Sequence, residues 1–244
     1  MSRYLTAIVL STFTVFGLIS PASATLILDT YTSGTATPTT IGAYAMTDFA
    51  VTNGGAGIDG TTTTSAASPI SGAVNFVDKD NNPLALSRHL ADGTGWWING
   101  EAGDYDIFTT GQHLVTILLP ENTRAFSFNV GANLGSSGNN AWLTATESSG
   151  SGIDSKYWFN VNRTNTPGFA IHTDNNGGLC TAITSVTIEP DYWGAGNFSI
   201  NQDSCSTSVP EPSSILLLGL GLLGLGVFSR NNNMHKNMSY LTGY

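Results

Sequence analysis

The stretch Arg124-Ala-Phe-Ser-Phe-Asn-Val130 decides the fold class, because large apolar residues alternate with small or polar ones along it. This period of two places Phe126, Phe128 and Val130 on one face of an extended chain. An amphipathic helix would instead repeat its apolar residues every three to four positions. The segment is therefore predicted to be a β-strand with one face in a hydrophobic core.

Similar patterns recur through residues 25–208. Tyr157, Phe159 and Val161 alternate with their neighbours and are predicted to point inward, and residues 182–188 have the β-branched composition that strands favour. Gly-, Asn- and Pro-rich turn signals separate the segments. No stretch has the pattern of an amphipathic helix, and residues 84–91 could form one short helical turn. Further strands are predicted at residues 26–31, 44–52, 72–77, 96–99, 105–109, 114–119, 141–147, 169–173 and 197–201.

About a dozen short strands in one domain indicate an all-β fold, a jelly-roll-like β-sandwich. A propeller or a solenoid would show an internal repeat, and the sequence has none. Residues 54–71 have low complexity and are predicted to form a long surface loop.

Length and charge limit the classes of partner. The chain has 244 residues, 10% of them charged, and a formal net charge of −9. Residues 25–208 contain five Lys or Arg against sixteen Asp or Glu, a formal charge of −11. Because nucleic-acid binding depends on clustered cations, this balance argues against a nucleic-acid partner.

Residues 1–24 have the features of a secretory signal peptide. Arg3 precedes an uncharged apolar stretch at 5–19, and small residues end the segment at Ala22-Ser23-Ala24. Signal peptidase is predicted to cleave between Ala24 and Thr25. The alternative is a buried N-terminal helix.

A second apolar segment lies near the other end, where residues 215–228 contain no polar side chain. As a helix these fourteen residues would span about 21 Å, short of a hydrocarbon core of about 30 Å. This length favours a processing signal over a permanent anchor. Arg3 precedes the first apolar segment and Arg230 follows the second. Because positively charged flanks stay in the cytoplasm, the body between the two segments is predicted to lie outside it.

The order of Pro210-Glu211-Pro212, the apolar helix and Arg230 resembles a PEP-CTERM sorting domain, a tail also labelled ice-binding protein C-terminal domain. The resemblance covers residues 209–230, and residues 231–244 would form a cytoplasmic tail longer than is usual in the family. It implies cleavage near the Pro-Glu-Pro triplet by exosortase, a membrane transpeptidase of Gram-negative bacteria. It also implies a transient inner-membrane anchor and delivery to the cell surface or extracellular matrix, often beside exopolysaccharide.

The only two cysteines, Cys180 and Cys205, are predicted to form a disulfide, because an exported protein meets an oxidising compartment. Closing a loop of this length would stabilise the fold by roughly 3–4 kcal/mol. A free, reactive thiol pair is the alternative.

Trp96 and Trp97 precede Asn99 and Glu101 between Gly-rich turns. A sugar ring has an apolar face and a polar rim, so aromatic faces beside amides and carboxylates suit a glycan-binding site. The alternative is structural, with one tryptophan in the core and the other capping a loop.

Two kinds of chemistry are weaker alternatives. Glu101 with Asp104 or Asp106 could act as the carboxylate pair of a polysaccharide-cleaving enzyme. The loop at 78–83 begins like a calcium loop but lacks its later ligands, and Asp174, Asn175 and Asp203 are further carboxylate and amide groups for structural calcium. His89, His113 and His172 do not have metal-ligand spacing.

The sequence therefore predicts a non-catalytic, exosortase-processed surface or matrix protein, with no required cofactor. A carbohydrate-binding module acting on exopolysaccharide is the second hypothesis.

Overall fold

The computed structural model describes residues 26–32, 34–50, 60–91, 103–132, 139–149, 153, 156–162, 165–174, 181–189 and 193–204. The chain divides into two compact units, Met1–Cys205 and Ser206–Tyr244, and the described residues all belong to the first. Within them the regular structure is entirely β, which confirms the predicted class.

The described part of the chain contains sixteen strands. The strands predicted from residue 105 onward are confirmed with bounds that differ by at most four residues, and the first predicted strand is β1. The strands are β1 Leu26–Tyr31, β2 Thr40–Ile41, β3 Tyr44–Ala45, β4 Thr47–Asp48, β5 Thr62–Thr63, β6 Ser65–Ala67, β7 Ala73–Val77, β8 Leu86–Ala91, β9 Gly103–Thr110, β10 Val115–Leu118, β11 Thr123–Ala132, β12 Asn139–Glu147, β13 Tyr157–Val161, β14 Gly168–Thr173, β15 Ile183–Glu189 and β16 Trp193–Gln202.

Two large antiparallel sheets form a sandwich-like arrangement. The eight-stranded sheet has the order β1-β14-β11-β16-β9-β8-β5, with β4 paired to β16. The six-stranded sheet has the order β13-β12-β15-β10-β7-β6, and β2 and β3 form a separate hairpin. From β9 to β12, and again from β14 to β16, successive strands alternate between the two sheets.

Aromatic side chains join the inner faces of the sheets. Phe76 of the six-stranded sheet lies 5.0 Å from Phe108 of the eight-stranded sheet, between ring centroids. Phe159 and Phe169 make a second such contact across the sandwich at 4.7 Å. The inward face predicted for Phe126, Phe128 and Val130 is confirmed, because all three are fully buried in this core.

The outer face of β11 is also buried, which the alternation did not predict. The hairpin of β2 and β3 covers part of it, and Ile41 and Tyr44 pack against Ala125 and Ala170. The small alanine side chains let the hairpin approach the sheet closely.

Farther along the same face, paired polar side chains replace apolar contacts. Ser127 and Ser199 face each other across β11 and β16 with their hydroxyl oxygens 2.6 Å apart. Asn197 donates its side-chain N–H to Asn129 at 3.1 Å, and the Tyr31 hydroxyl donates to the same acceptor. Since buried polar groups cost free energy unless they are hydrogen-bonded, this pairing stabilises a strand buried on both faces.

Three local predictions were wrong. Within residues 84–91, Leu86–Ala91 form strand β8 rather than a helical turn, because β5 and β9 supply backbone partners on both sides. The described part of the predicted strand 44–52, residues 44–50, contains two short strands instead of one. Part of the predicted loop 54–71 pairs as β5 and β6, since Thr and Ser fit a pleated sheet once a partner strand is present.

Candidate functional site

Most of the residues singled out in the sequence lie outside the described ranges. This holds for the aromatic–amide group, the cysteine pair, the signal-cleavage site and the sorting triplet, so their roles stay predictions. They are Trp96, Trp97, Asn99, Glu101, Cys180, Cys205, Ala24, Thr25, Pro210, Glu211 and Pro212.

Asp106 is the one proposed catalytic acid whose side chain the structure describes. Its carboxylate accepts a hydrogen bond from the Arg88 guanidinium of the neighbouring strand, and only 7% of the Asp106 side chain is exposed. A catalytic nucleophile or acid must be able to reach its substrate. Because the Asp106 carboxylate is buried and paired with Arg88, its geometry is that of an ion pair that joins β8 to β9.

The loop at 78–83 is a turn built around one carboxylate. Asp78 accepts the backbone N–H groups of Asp80 and Asn82 at 2.8 and 2.9 Å. The hydrogen bond from the Asn82 backbone is the main cause that lowers the pKa of Asp78, although the group is exposed. Among the described residues, no group of three or more His, Cys, Asp or Glu side chains could hold a metal ion.

His172 has a packing role. Its ring lies over Gly42, where φ is +56° and an added Cβ would come within 2.8 Å of the ring. Its Nε2 lies 3.5 Å from the Asp29 carboxylate on the paired strand β1. These contacts position the β2–β3 hairpin on the eight-stranded sheet.

Arg124 connects two segments near the cysteines. Its guanidinium donates to the backbone carbonyl of Thr181 and, through Nε, to that of Asp203 at 3.0 Å. Arg124 is 5% exposed, and burial lowers the pKa of the guanidinium. Thr181 follows Cys180, and Asp203 lies two residues before Cys205.

An exposed aromatic surface that was not predicted from the sequence lies on the outer side of the six-stranded sheet. Trp158 on edge strand β13 is 62% exposed and lies directly opposite Trp142 on β12. We call this part of the outer side of the six-stranded sheet the Trp158 face. It comprises Asn140, Trp142, Lys156, Trp158, Asn160 and Glu189.

Polar groups border the two tryptophans. Asn140 and Asn160 are exposed and form the next cross-strand pair, while Glu189 lies opposite Trp142 on the other side. The Lys156 ammonium lies 3.7 Å from the centroid of the Trp142 ring, and Trp142 itself is only 7% exposed. The alternation that turns Phe159 and Val161 inward also turns Trp158 outward, so the signal was present in the sequence.

Residues 208–231 match the family model of the PEP-CTERM protein-sorting motif. The chain carries a PEP-CTERM sorting motif. This motif implies export, exosortase processing and a cell-surface or extracellular location in a Gram-negative bacterium. In the described part of the chain, no helix is long and apolar enough to span a membrane, and the apolar segment 215–228 lies outside that part.

No curated protein matches the chain. Among solved structures, it is similar at 13% identity to the crystal structure of the enzymatically active domain of tailspike protein 4 from bacteriophage CBA120. The alignment covers 73% of this chain and 17% of the tailspike chain, with a TM-score of 0.17. A TM-score this low does not indicate a shared fold.

Proposed function

We propose that this protein is a non-catalytic β-sandwich that exosortase releases at the cell surface or into the extracellular matrix. The observation that carries the proposal is the PEP-CTERM motif at 208–231, which begins six residues after β16 ends at Gln202. Cleavage near Pro210-Glu211-Pro212 would therefore leave every described strand intact.

The N-terminal end supports the same route. Signal peptidase would cleave between Ala24 and Thr25, and β1 begins at Leu26. The mature chain would then enter the edge of the eight-stranded sheet almost at once. We propose that residues 215–228 form the transient anchor helix and that residues 231–244 stay in the cytoplasm.

Two of the described acids have structural partners, which supports a non-catalytic role. The Asp106 carboxylate is paired with Arg88, and Asp78 organises its own turn. The fold fits the finer jelly-roll description, because the antiparallel strands from β9 to β12 and from β14 to β16 alternate between two sheets. A disulfide between Cys180 and Cys205 fits the Arg124 contacts, which hold residues close to each cysteine on one guanidinium.

The test replaces Pro210, Glu211 and Pro212 by alanine in the full chain. The proposal expects a longer, membrane-retained protein, measured by fractionating the cells and determining the intact mass. Ser213→Ala with Ser214→Ala is the matched control, because it changes the adjoining residues and keeps the triplet. A triplet variant with the mass and location of the wild type would overturn the proposal.

A further inference from the structure

We propose that the Trp158 face binds a neutral polysaccharide chain. The inference concerns the folded sandwich and does not depend on how the chain is sorted. It also uses residues other than the predicted group around Trp96 and Trp97.

The central element is one exposed indole on the outer face of the sheet. Trp158 is 62% exposed, whereas its cross-strand partner Trp142 on β12 is only 7% exposed. An indole face held by a β-strand is a rigid apolar platform, and the C–H face of a sugar ring packs well on such a surface.

Polar side chains lie beside the tryptophan pair on the same face of the sheet. Asn140 lies two residues before Trp142 and Asn160 two residues after Trp158, each about 7 Å away between Cα atoms. Their amides can both donate and accept hydrogen bonds. Glu189 adds two acceptor oxygens on the other side of Trp142. Together these groups match a ligand that has hydroxyls around an apolar ring.

The Lys156–Trp142 contact defines which ring is available. Because the Lys156 ammonium lies over the Trp142 ring at 3.7 Å, that ring already has a partner. This contact leaves the Trp158 ring as the stacking surface. The Lys156 ammonium, the cation of the Trp158 face, is engaged by the Trp142 ring.

Charge and apolar area favour a neutral sugar over other ligands. The other large exposed hydrophobic side chains of the described residues are Ile27, Ile70 and Tyr157, and none of them belongs to the Trp158 face. A single exposed ring between polar side chains offers little of the apolar core that a stable protein interface needs. The chain has a formal charge of −9, which disfavours acidic polymers.

The test is affinity electrophoresis of the full-length chain in native gels that contain soluble mixed-linkage β-glucan, xyloglucan, galactomannan or dextran, with alginate as the anionic comparison. The protein is kept in a polyoxyethylene detergent, because sugar-based detergents would compete. Trp158→Ala removes the platform. Ile70→Ala is the control, since it truncates another exposed hydrophobic residue, 47% exposed, outside the Trp158 face.

We expect at least one neutral polysaccharide to retard the wild type, and Trp158→Ala to weaken the apparent association constant by tenfold or more. Trp158→Phe should retain part of the binding, and Ile70→Ala all of it. The proposal is overturned if none of these neutral polymers retards the wild type, or if Trp158→Ala is retarded equally. It is also overturned if sedimentation shows that Trp158→Ala converts a dimer to a monomer, since the face would then join two copies. Cell fractionation reports on sorting separately, so failure of either proposal can be recognised without the other.

Discussion

Replacing Arg124 by methionine should strongly destabilise the sandwich. Methionine keeps much of the stem's volume but removes the donors to the carbonyls of Thr181 and Asp203. A hydrogen bond from a charged group contributes about 1.5–3 kcal/mol, and a buried acceptor left without a donor costs about 1–3 kcal/mol. The bond to Thr181 is buried, so little water can replace that donor, whereas Asp203 is exposed and its carbonyl can be hydrated. The expected loss in the free energy of unfolding is about 3 kcal/mol.

Urea unfolding of the exported protein, followed by tryptophan fluorescence, measures this loss as a lower midpoint at unchanged slope. Lys79→Met is the matched control, because Lys79 pairs with Asp80 in an exposed turn and its removal should leave the midpoint unchanged. The predicted disulfide near both carbonyls should make the Arg124→Met effect smaller in the oxidised than in the reduced protein. An Arg124→Met protein as stable as the wild type would refute the role assigned to the guanidinium.

Three further predictions concern other parts of the sandwich. Reduction followed by alkylation should add two alkyl groups to Cys180 and Cys205 and lower the free energy of unfolding by about 3–4 kcal/mol; alkylation without reductant would show free thiols instead. Gly168→Val should lower the free energy of unfolding by about 1–3 kcal/mol, because a Cβ at residue 168 collides with the Tyr31 ring; an unchanged urea midpoint would contradict this packing. The lowered pKa of Asp78 means that its stabilising effect is present above the ordinary carboxyl value of 3.8 and is lost as the pH falls through the lower, folded value. Asp78→Asn should remove that part of the acid dependence, and urea midpoints measured across this range would disprove the assignment if the two proteins changed in parallel.

The strands were predictable where alternation was strong. Phe126, Phe128 and Val130 show the pattern clearly, and β11 occurs where it was expected. Strand β8 was missed because Arg88 interrupts the alternation of Leu84, Leu86 and Leu90. Its extended form depends on pairing with β5 and β9. Pairing between segments distant in sequence is not encoded in a local pattern.

The surface sites show the same limit. The alternation around Phe159 already implied that Trp158 points away from the core, but not that Trp142 lies beside it. That neighbour depends on the register of β12 and β13, which only the folded sheet provides. Arg124 was likewise unremarkable in the sequence, since its two carbonyl acceptors come from residues 181 and 203.

The sorting motif differs from both cases because its signal is local. A Pro-Glu-Pro triplet, an apolar helix and a cation are recognised in order along the chain, without a tertiary fold. The family match at 208–231 therefore agrees with what the residues alone indicated.

The most direct test of the account is the C-terminus of the wild-type protein recovered from the cell surface or the medium, determined by intact-mass and peptide mass spectrometry. Exosortase release predicts a chain that begins at Thr25, ends near Pro210-Glu211-Pro212 and lacks residues 215–244. A surface protein that still ends at Tyr244 would contradict exosortase release.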